Sequence, residues 1–139
     1  MKTRVFNEKE QIYCDWRHRW VRLTPEEWVR QQLLHRLVEQ FGYPAGLIAV
    51  ETQIRLGEAC RRPDAVVYDR EMHPRMIIEC KAETVPLTQR TLDQAATYNR
   101  RLRVPYLMLH NGPQTVVAHV ETDKIDYLPA IPAWNNLLH

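Results

Sequence analysis

Two acidic residues and a lysine in the middle of the chain could bind a metal ion. Asp64 precedes one β-branched run, and Glu79, Cys80 and Lys81 end the next apolar run. Because residues two apart in a strand share a face, Glu79 and Lys81 point the same way and Cys80 points to the other side. Carboxylate oxygens suit Mg²⁺ or Mn²⁺, which takes one or two protein carboxylates and completes its shell with water and substrate phosphate. Asp64 and Glu79 are therefore the expected ligands of a Mg²⁺ or Mn²⁺ ion.

A β-hairpin is predicted to bring these residues together. Residues 65–68 form one β-branched run and residues 76–78 form a second apolar run, with the polar turn 69–74 between them. This pattern is typical of a hairpin. Asp64, before the first strand, and Glu79, at the end of the second, then meet at one end of it.

Several short motifs resemble a known nuclease superfamily. Pro63-Asp64 followed by Glu79-Cys80-Lys81 resembles the PD-(D/E)XK signature of restriction-endonuclease-like nucleases, and Gln94 with Tyr98 resembles the QxxxY element of the RecB-like branch. More narrowly, residues 14–132 resemble the family named after the N-terminal nuclease domain of type I restriction enzyme R subunits. The segments that carry this narrower resemblance are Leu23–Gln31, Glu79–Ala82, Asp93-Gln94, Tyr98-Asn99 and Asn111-Gly112.

The resemblance implies a metal-dependent deoxyribonuclease, and we expect an endonuclease. A carboxylate-bound Mg²⁺ can activate a water and stabilise charge at the scissile phosphate. Asp64 and Glu79 would be direct ligands, with the backbone carbonyl of Cys80 as a third. Lys81 would orient or deprotonate the attacking water, or stabilise the charge that develops on the phosphate.

Simpler interpretations exist for the same residues. Glu79 and Lys81 could form a structural ion pair on one strand, although exposed pairs of this kind contribute little. Asp64 would then be an unneeded second carboxylate, which favours the metal site. Gln94 and Tyr98 stand at i and i+4 and so share a helix face, where an exposed polar pair is the simpler interpretation. The resemblance implies that they position the metal, its water or a substrate phosphate.

An additional acidic residue is implied on the first helix, where many nucleases of the superfamily carry one. The sequence offers Glu26, Glu27 and Glu39 there, and Glu51, one strand before Asp64, is a possible substitute. Glu27 also fits the third position of a helix capping box. The choice among these four residues stays open.

Arginines are the expected contacts to DNA. The net charge of +2 is too small to indicate a nucleic-acid-binding protein by itself. The distribution of the basic residues in local clusters is a better indicator of nucleic-acid contacts. Arg61 and Arg62 directly precede the residues where a polyanionic substrate would lie. The expected nucleic-acid-binding residues are Arg61, Arg62, Arg22 and Arg30.

Composition predicts one domain over residues 1–139. Hydrophobic residues make up 45% and charged residues 26%, which is ordinary for a globular protein. Apolar runs are too short to span a membrane, and the N-terminus lacks a signal-peptide core, so we expect a cytoplasmic protein with no membrane partner. The odd cysteine count argues against a disulfide framework.

Periodicity predicts a three-layer α/β/α restriction-endonuclease-like fold with a mixed central sheet. A helix beginning with Thr24 as N-cap should bury Trp28 and Leu37 and expose Arg30 and Gln31. A right-handed crossover through a second helix would make the strand after it parallel to the second strand of the hairpin. The predicted segments are an irregular region over 5–23, strands over 47–56, 104–109 and 115–120, a second helix over 88–102 and a loosely held tail over 134–139.

The expected partner is DNA, with a homo-oligomer or a larger restriction or repair complex as a possible assembly. The alternative function is a non-catalytic module that binds nucleic acid or another protein within a restriction, defence or repair complex. The intact set of Asp64, Glu79 and Lys81 favours the enzyme, since a module that only binds has no chemical need for all three.

Overall fold

A computed structural model describes residues 1–138 of the chain. Within that range the chain forms eleven strands, two α-helices and two short 3-10 helices. The strands are β1 (Thr3–Phe6), β2 (Lys9–Cys14), β3 (Arg19–Arg22), β4 (Ile48–Val50), β5 (Ile54–Leu56), β6 (Ala59–Arg61), β7 (Ala65–Tyr68), β8 (Pro74–Cys80), β9 (Tyr106–His110), β10 (Thr115–Val120) and β11 (Ile125–Leu128). The helices are α1 (Pro25–Phe41) and α2 (Gln89–Leu102), and the 3-10 helices cover Ala45–Leu47 and Trp134–Leu138.

The central sheet has six strands in the order β11-β10-β9-β8-β7-β4. Strands β7 and β8 form the predicted antiparallel hairpin, and β8 and β9 are parallel with α2 as the connection between them. The remaining neighbours are antiparallel. The mixed sheet and the parallel crossover are therefore confirmed.

The two helices cover opposite faces of this sheet. Ala65 and Val67 of β7 pack in one core cluster with α1, whereas Val66 between them packs with Leu102 of α2. In β8, Met76, Ile78 and Cys80 join the α1 cluster and Ile77 joins the α2 side. Because side chains alternate along a strand, the next residue on the α2 side of β8 is Glu79. The three-layer arrangement predicted from the sequence is confirmed.

Helix α1 begins and ends as predicted but turns a different face inward. Thr24 Oγ1 accepts a hydrogen bond from Glu27 N at 3.0 Å, and Gly42 closes the helix at φ +75°. Arg30 and Gln31 are buried, and Trp28 is 36% exposed. The prediction of exposed Arg30 and Gln31 and a buried Trp28 is wrong, because the first turns of α1 face a polar cluster described below.

Two segments before the hairpin also differ from prediction. The region 5–23 is not irregular, since β1, β2 and β3 form a separate antiparallel sheet. The predicted strand 47–56 is two strands, with β4 in the central sheet and β5 paired with β6. Glu51 breaks it at φ +53°, a left-handed conformation that cannot continue a strand.

The C-terminal segment packs against the core. Trp134 and Leu137 are buried in the α1-side cluster, and Arg75 Nε donates to Leu137 O at 2.6 Å. The prediction of a loosely held tail is therefore wrong for residues 134–138, and His139 lies outside the described residues. Among residues 1–138, no helix combines the length and apolar character that crossing a bilayer requires.

Candidate active site

The C-terminal end of β8 opens onto a cleft on the α2 side of the sheet. Glu79 and Lys81 both line it, while Cys80 points into the opposite core, as the alternation predicts. The cleft has a volume of about 490 Å³. Its lining residues are Arg61, Glu79, Lys81, Thr91, Gln94, Ala95, Thr97, Tyr98, Arg101 and Leu109.

Helix α2 forms the second wall of the cleft. Thr88 caps it by accepting a hydrogen bond from Thr91 N, and Ala95 and Ala96 are buried against the sheet. Gln94 and Tyr98 lie one turn apart and line the cleft with Glu79 and Lys81. The fold thus brings a pair of residues from the end of β8 together with a pair from α2.

Asp64 lies directly beside this cleft. Its Oδ2 accepts a hydrogen bond from Cys80 N at 2.7 Å, so the carboxylate is held next to the backbone between Glu79 and Lys81. Its Oδ1 lies 3.4 Å from Arg30 Nη1. Asp64 is not among the residues that line the cleft, but its bond to Cys80 N holds its charge near enough to Glu79 to raise the pKa of that residue.

Glu79 is a buried carboxylate with a single guanidinium partner. Arg61 donates to Glu79 Oε1 from Nη2 at 2.9 Å and from Nε at 3.1 Å. Burial raises the pKa of Glu79 above its usual range, Arg61 opposes this shift, and the nearby charge of Asp64 adds to it. The guanidinium of Arg61 also lies 4.3 Å over the ring of Tyr98, so one arginine connects the carboxylate to α2.

A second cluster of arginines and carboxylates lies behind Asp64. Arg17 Nη2 contacts Glu27 Oε1 at 2.6 Å, and Arg30 Nη2 binds the same oxygen. Burial would raise the pKa of Glu27, but the hydrogen bonds from Arg30 and Arg17 outweigh it and hold the pKa below its usual range. Arg30 also reaches Glu51 Oε1 at 3.4 Å, which links α1 to the residue that breaks the strand before the hairpin.

The turn after β9 supports the backbone of Lys81. Lys81 N donates to His110 O at 2.8 Å, and His110 Nδ1 lies 2.7 Å from Thr115 Oγ1. Asn111 Nδ2 donates to Val85 O at 2.8 Å, which ties the loop after Lys81 to the same turn. Burial lowers the pKa of His110, so its imidazole is a neutral structural group at pH 7.

Comparison with protein families identifies the chain. Residues 25–132 match the model of the family described as Type I restriction enzyme R protein N terminus (HSDR_N). The chain belongs to this HSDR_N family. The match includes every predicted catalytic and metal-binding residue, whereas β1, β2 and β3 lie before it.

Solved structures share the fold of this HSDR_N chain. A fragment described as an HsdR subunit of a type I restriction enzyme from Vibrio vulnificus aligns at 18% identity and a TM-score of 0.59, over 84% of this chain. A protein of Anabaena variabilis described as a nuclease belonging to DUF820 aligns at 11% identity and a TM-score of 0.54, over 96% of this chain and 87% of its own. The chain spans only 25% of the length of the Vibrio fragment. A comparison with curated protein sequences gives no significant match.

The four arginines predicted to bind nucleic acid occupy different environments. Arg61 lies in the cleft on Glu79, and Arg62 is exposed, with its Nε donating to Glu51 O at 2.9 Å. Arg30 is buried among carboxylates, which is not a position from which it could contact a phosphate directly. Arg22 is exposed on β3, in the separate N-terminal sheet.

Three further polar residues of the cleft, all on α2, were not predicted from the sequence. Thr91, Thr97 and Arg101 line it together with Gln94 and Tyr98. Arg101 lies three residues after Tyr98, and Thr91 three before Gln94, so the helical period could have added both to the predicted face. Geometry narrows the choice of the additional acidic residue that was left open among four glutamates. Glu27 and Glu51 are connected to Asp64 through Arg30, whereas Glu26 and Glu39 are exposed.

The donor atoms at this site fit a hard divalent cation. Among residues 1–138, no cluster of three or more acidic, histidine or cysteine side chains could hold a metal. Asp64, bonded to Cys80 N, and Glu79, the neighbour of Cys80, offer two carboxylates, and Mg²⁺ usually takes one or two from a protein. Each of these carboxylates has an arginine partner, so a cation would have to compete with Arg61 at Glu79 and with Arg30 at Asp64.

Proposed function

We propose that this HSDR_N chain is a Mg²⁺- or Mn²⁺-dependent nuclease domain that hydrolyses phosphodiester bonds in DNA, with endonucleolytic cleavage the expected mode. One observation carries the proposal: the fold gathers Glu79, Lys81, Gln94 and Tyr98 around a single cleft, with Asp64 hydrogen-bonded to the strand between Glu79 and Lys81. A structural Glu79–Lys81 pair would need neither the open cleft nor the second carboxylate.

The residues of the cleft divide the chemistry between them. Held by the Asp64 and Glu79 carboxylates, a divalent cation would supply a water of lowered pKa and stabilise charge on the phosphate. Lys81 lines the cleft with Glu79 directly after β8, and its backbone nitrogen is fixed by the bond to His110 O, so its charge is pre-positioned for the water or the phosphate. Gln94 and Tyr98 line the opposite wall and can orient the same phosphate.

Arginines on the cleft walls suit a polyanionic substrate. Arg61 and Arg101 both line the cleft and can neutralise phosphates that enter it. Arg61 must release Glu79 to do so. Its contact with the Tyr98 ring would still hold it within the cleft. We propose DNA as the substrate, with assembly into an oligomer or a larger restriction or repair complex as the wider context, which the family's description as part of an R protein supports.

The test is cleavage of single-stranded, duplex and branched DNAs with Mg²⁺ or Mn²⁺, and with EDTA as the metal-free control. Glu79→Ala and Lys81→Ala should each abolish cleavage, and the double variant should be scarcely worse than either single one, because both residues act on one transition state. Lys124→Ala is the matched control, since Lys124 is exposed near β11 and does not line the cleft. Near wild-type activity in either cleft variant would refute the assignment.

The arginine partners of the two carboxylates favour a second candidate function. Arg61 occupies Glu79 and Arg30 contacts Asp64, an arrangement that a protein binding DNA without cleaving it could keep permanently. Binding to DNA with no cleavage in either metal, and no metal-dependent change in melting temperature, would support that non-catalytic module.

A further inference from the structure

The N-terminal sheet has one face of aromatic and basic side chains. Strand alternation and register place seven residues on it, because Phe6 pairs with Lys9, Arg4 with Gln11, Gln11 with Arg22, and Tyr13 with Trp20. We call this surface the aromatic-basic face; its residues are Arg4, Phe6, Lys9, Gln11, Tyr13, Trp20 and Arg22. None of these strand residues is acidic. Ile12 and Cys14, on the other face, are buried.

The rings of the aromatic-basic face are partly accessible to solvent, and a planar cation lies over two of them. Phe6 is 51% exposed, and Tyr13 and Trp20 are half-buried. The guanidinium of Arg4 lies 4.3 Å over the Trp20 ring and 4.9 Å over the Phe6 ring, while its Nε donates to Gln11 Oε1 at 2.8 Å. The flat guanidinium of Arg4 thus lies over two rings while the Gln11 amide is bonded to its edge.

We infer that the aromatic-basic face binds single-stranded nucleic acid. Unpaired bases can stack on exposed rings, whereas the bases of a duplex already stack on each other, and cations that follow the backbone supply the electrostatic attraction. Lys9, Arg4 and Arg22 surround the rings and fit phosphates between stacked bases. The absence of carboxylates among the strand residues of this face removes the repulsion that an anionic ligand would otherwise meet.

This surface is separate from the proposed cleavage site. None of its residues lines the cleft between β8 and α2, and the strands that carry it precede the segment matched by the HSDR_N family. The proposed ligand is a single strand held on this face, and its binding does not depend on hydrolysis. Binding in EDTA therefore tests it apart from the nuclease proposal.

The experiment measures binding of a fluorescent oligothymidylate to the full chain in EDTA by anisotropy. Phe6→Ala should raise Kd on the order of tenfold, the usual effect of losing one stacked base. Arg22→Gln should reduce the slope of log K against log salt by about 0.7, the value for one phosphate contact to a single strand. The same chain should bind a duplex of equal length more weakly.

Two matched variants on the other side of the same strands serve as controls. Val5→Ala removes an apolar side chain that is 71% exposed beside Phe6, and Arg19→Gln removes an exposed cation on the strand of Arg22. Both should bind like wild type. All four substitutions are at exposed positions, so each variant should fold, as circular dichroism would verify.

Several results would overturn the inference. These are no binding by the wild type, equal losses in test and control variants, or tighter binding to the duplex. A dimer that Phe6→Ala converts to a monomer, with no loss of oligothymidylate binding, would instead assign this face to contact between two copies of the chain. Because binding is measured in EDTA, where the proposed metal-dependent cleavage cannot occur, failure of cleavage and failure of binding are distinguishable.

Discussion

Glu79 is a buried acid in a site that would favour its neutral form. It is 9% exposed, and burial raises its pKa. The charge of Arg61 lowers this pKa and the charge of Asp64 raises it, and the net shift is upward. When the folded pKa lies above the unfolded one, ionisation destabilises the fold. The penalty is absent below the unfolded pKa and grows as pH rises towards the folded pKa. Strain of this kind is common where side chains are arranged for function.

Glu79→Gln should therefore stabilise the protein at pH 7. The expected gain in the free energy of unfolding is on the order of 1 kcal/mol, typical of a substitution that relieves an active site. It should shrink as the pH falls through the unfolded pKa of about 4.3, well below which the acid is neutral in both states. Urea unfolding across this pH range measures it. Glu58→Gln, at an exposed turn position, is the control; an equal gain there, or a loss in Glu79→Gln, would refute the argument.

Arg61 should compete with a metal ion for Glu79. Its two hydrogen bonds to Oε1 must break before that oxygen can bind a cation. Arg61→Gln should therefore enlarge the rise in melting temperature that Mn²⁺ produces, because tighter binding to the folded state stabilises it further. Arg62→Gln removes an adjacent exposed charge that bonds Glu51 O instead, and its metal shift should equal that of the wild type.

The sequence was informative about the position of the candidate catalytic residues and much less so about their partners. Asp64, Glu79 and Lys81 were predictable because strand alternation and the order of a short hairpin determine where they lie. The contact of Arg61 with Glu79 and Tyr98 was not, since it depends on how β6 packs against α2 across a long stretch of chain. The prediction that Arg61 contacts DNA remains compatible with the cleft but is untested.

Helix α1 shows what a periodic pattern omits. Thr24, Pro25 and Gly42 marked both ends correctly, because capping is a local interaction. The buried side of the first turns was predicted wrongly because Arg30 and Gln31 are polar, yet they bind Glu27 inside the protein. The strand predicted over 47–56 failed for a similar reason, since Glu51 adopts a positive φ beside Arg30.

The cluster at the start of α1 should be important for stability. Glu27 is 5% exposed and binds both the half-buried Arg17 and the buried Arg30, so Glu27→Gln would leave these two cations poorly compensated. We expect a loss of about 3 kcal/mol in the free energy of unfolding at pH 7. Because the pKa of Glu27 is lowered on folding, its contribution is present above the unfolded pKa and is lost as pH falls through the folded one.

Glu26→Gln is the matched control for this helix. Glu26 is adjacent, exposed and also in the first turn, so its loss should change the free energy of unfolding by only a few tenths of a kcal/mol. If the two variants unfold at the same urea concentration at pH 7, the buried cluster does not stabilise α1.

At the scale of the whole molecule, the three layers were predictable from the sequence. The N-terminal sheet and the packed C-terminal segment were not. The β8-α2-β9 crossover and the two helix layers follow from the order of elements and from handedness. The N-terminal sheet was overlooked because mixed aromatic and basic residues in β1, β2 and β3 lack a clean apolar alternation. The packing of Trp134 and Leu137 was overlooked because two prolines, Pro129 and Pro132, suggested that the chain had left the core.

The last few residues provide a direct test of this packing. Leu137 is fully buried in the α1-side core with Trp134 and Met76, whereas its neighbour Leu138 is 37% exposed. Leu137→Ala should lower the free energy of unfolding by about 2–5 kcal/mol, the usual cost of emptying a leucine site in a core. Leu138→Ala should lower it by no more than about 0.5 kcal/mol, as at other surface positions. Both variants keep the same backbone, so a difference between them in urea unfolding reports on the buried side chain alone. Equal, small effects would mean that the segment is not part of the core in solution.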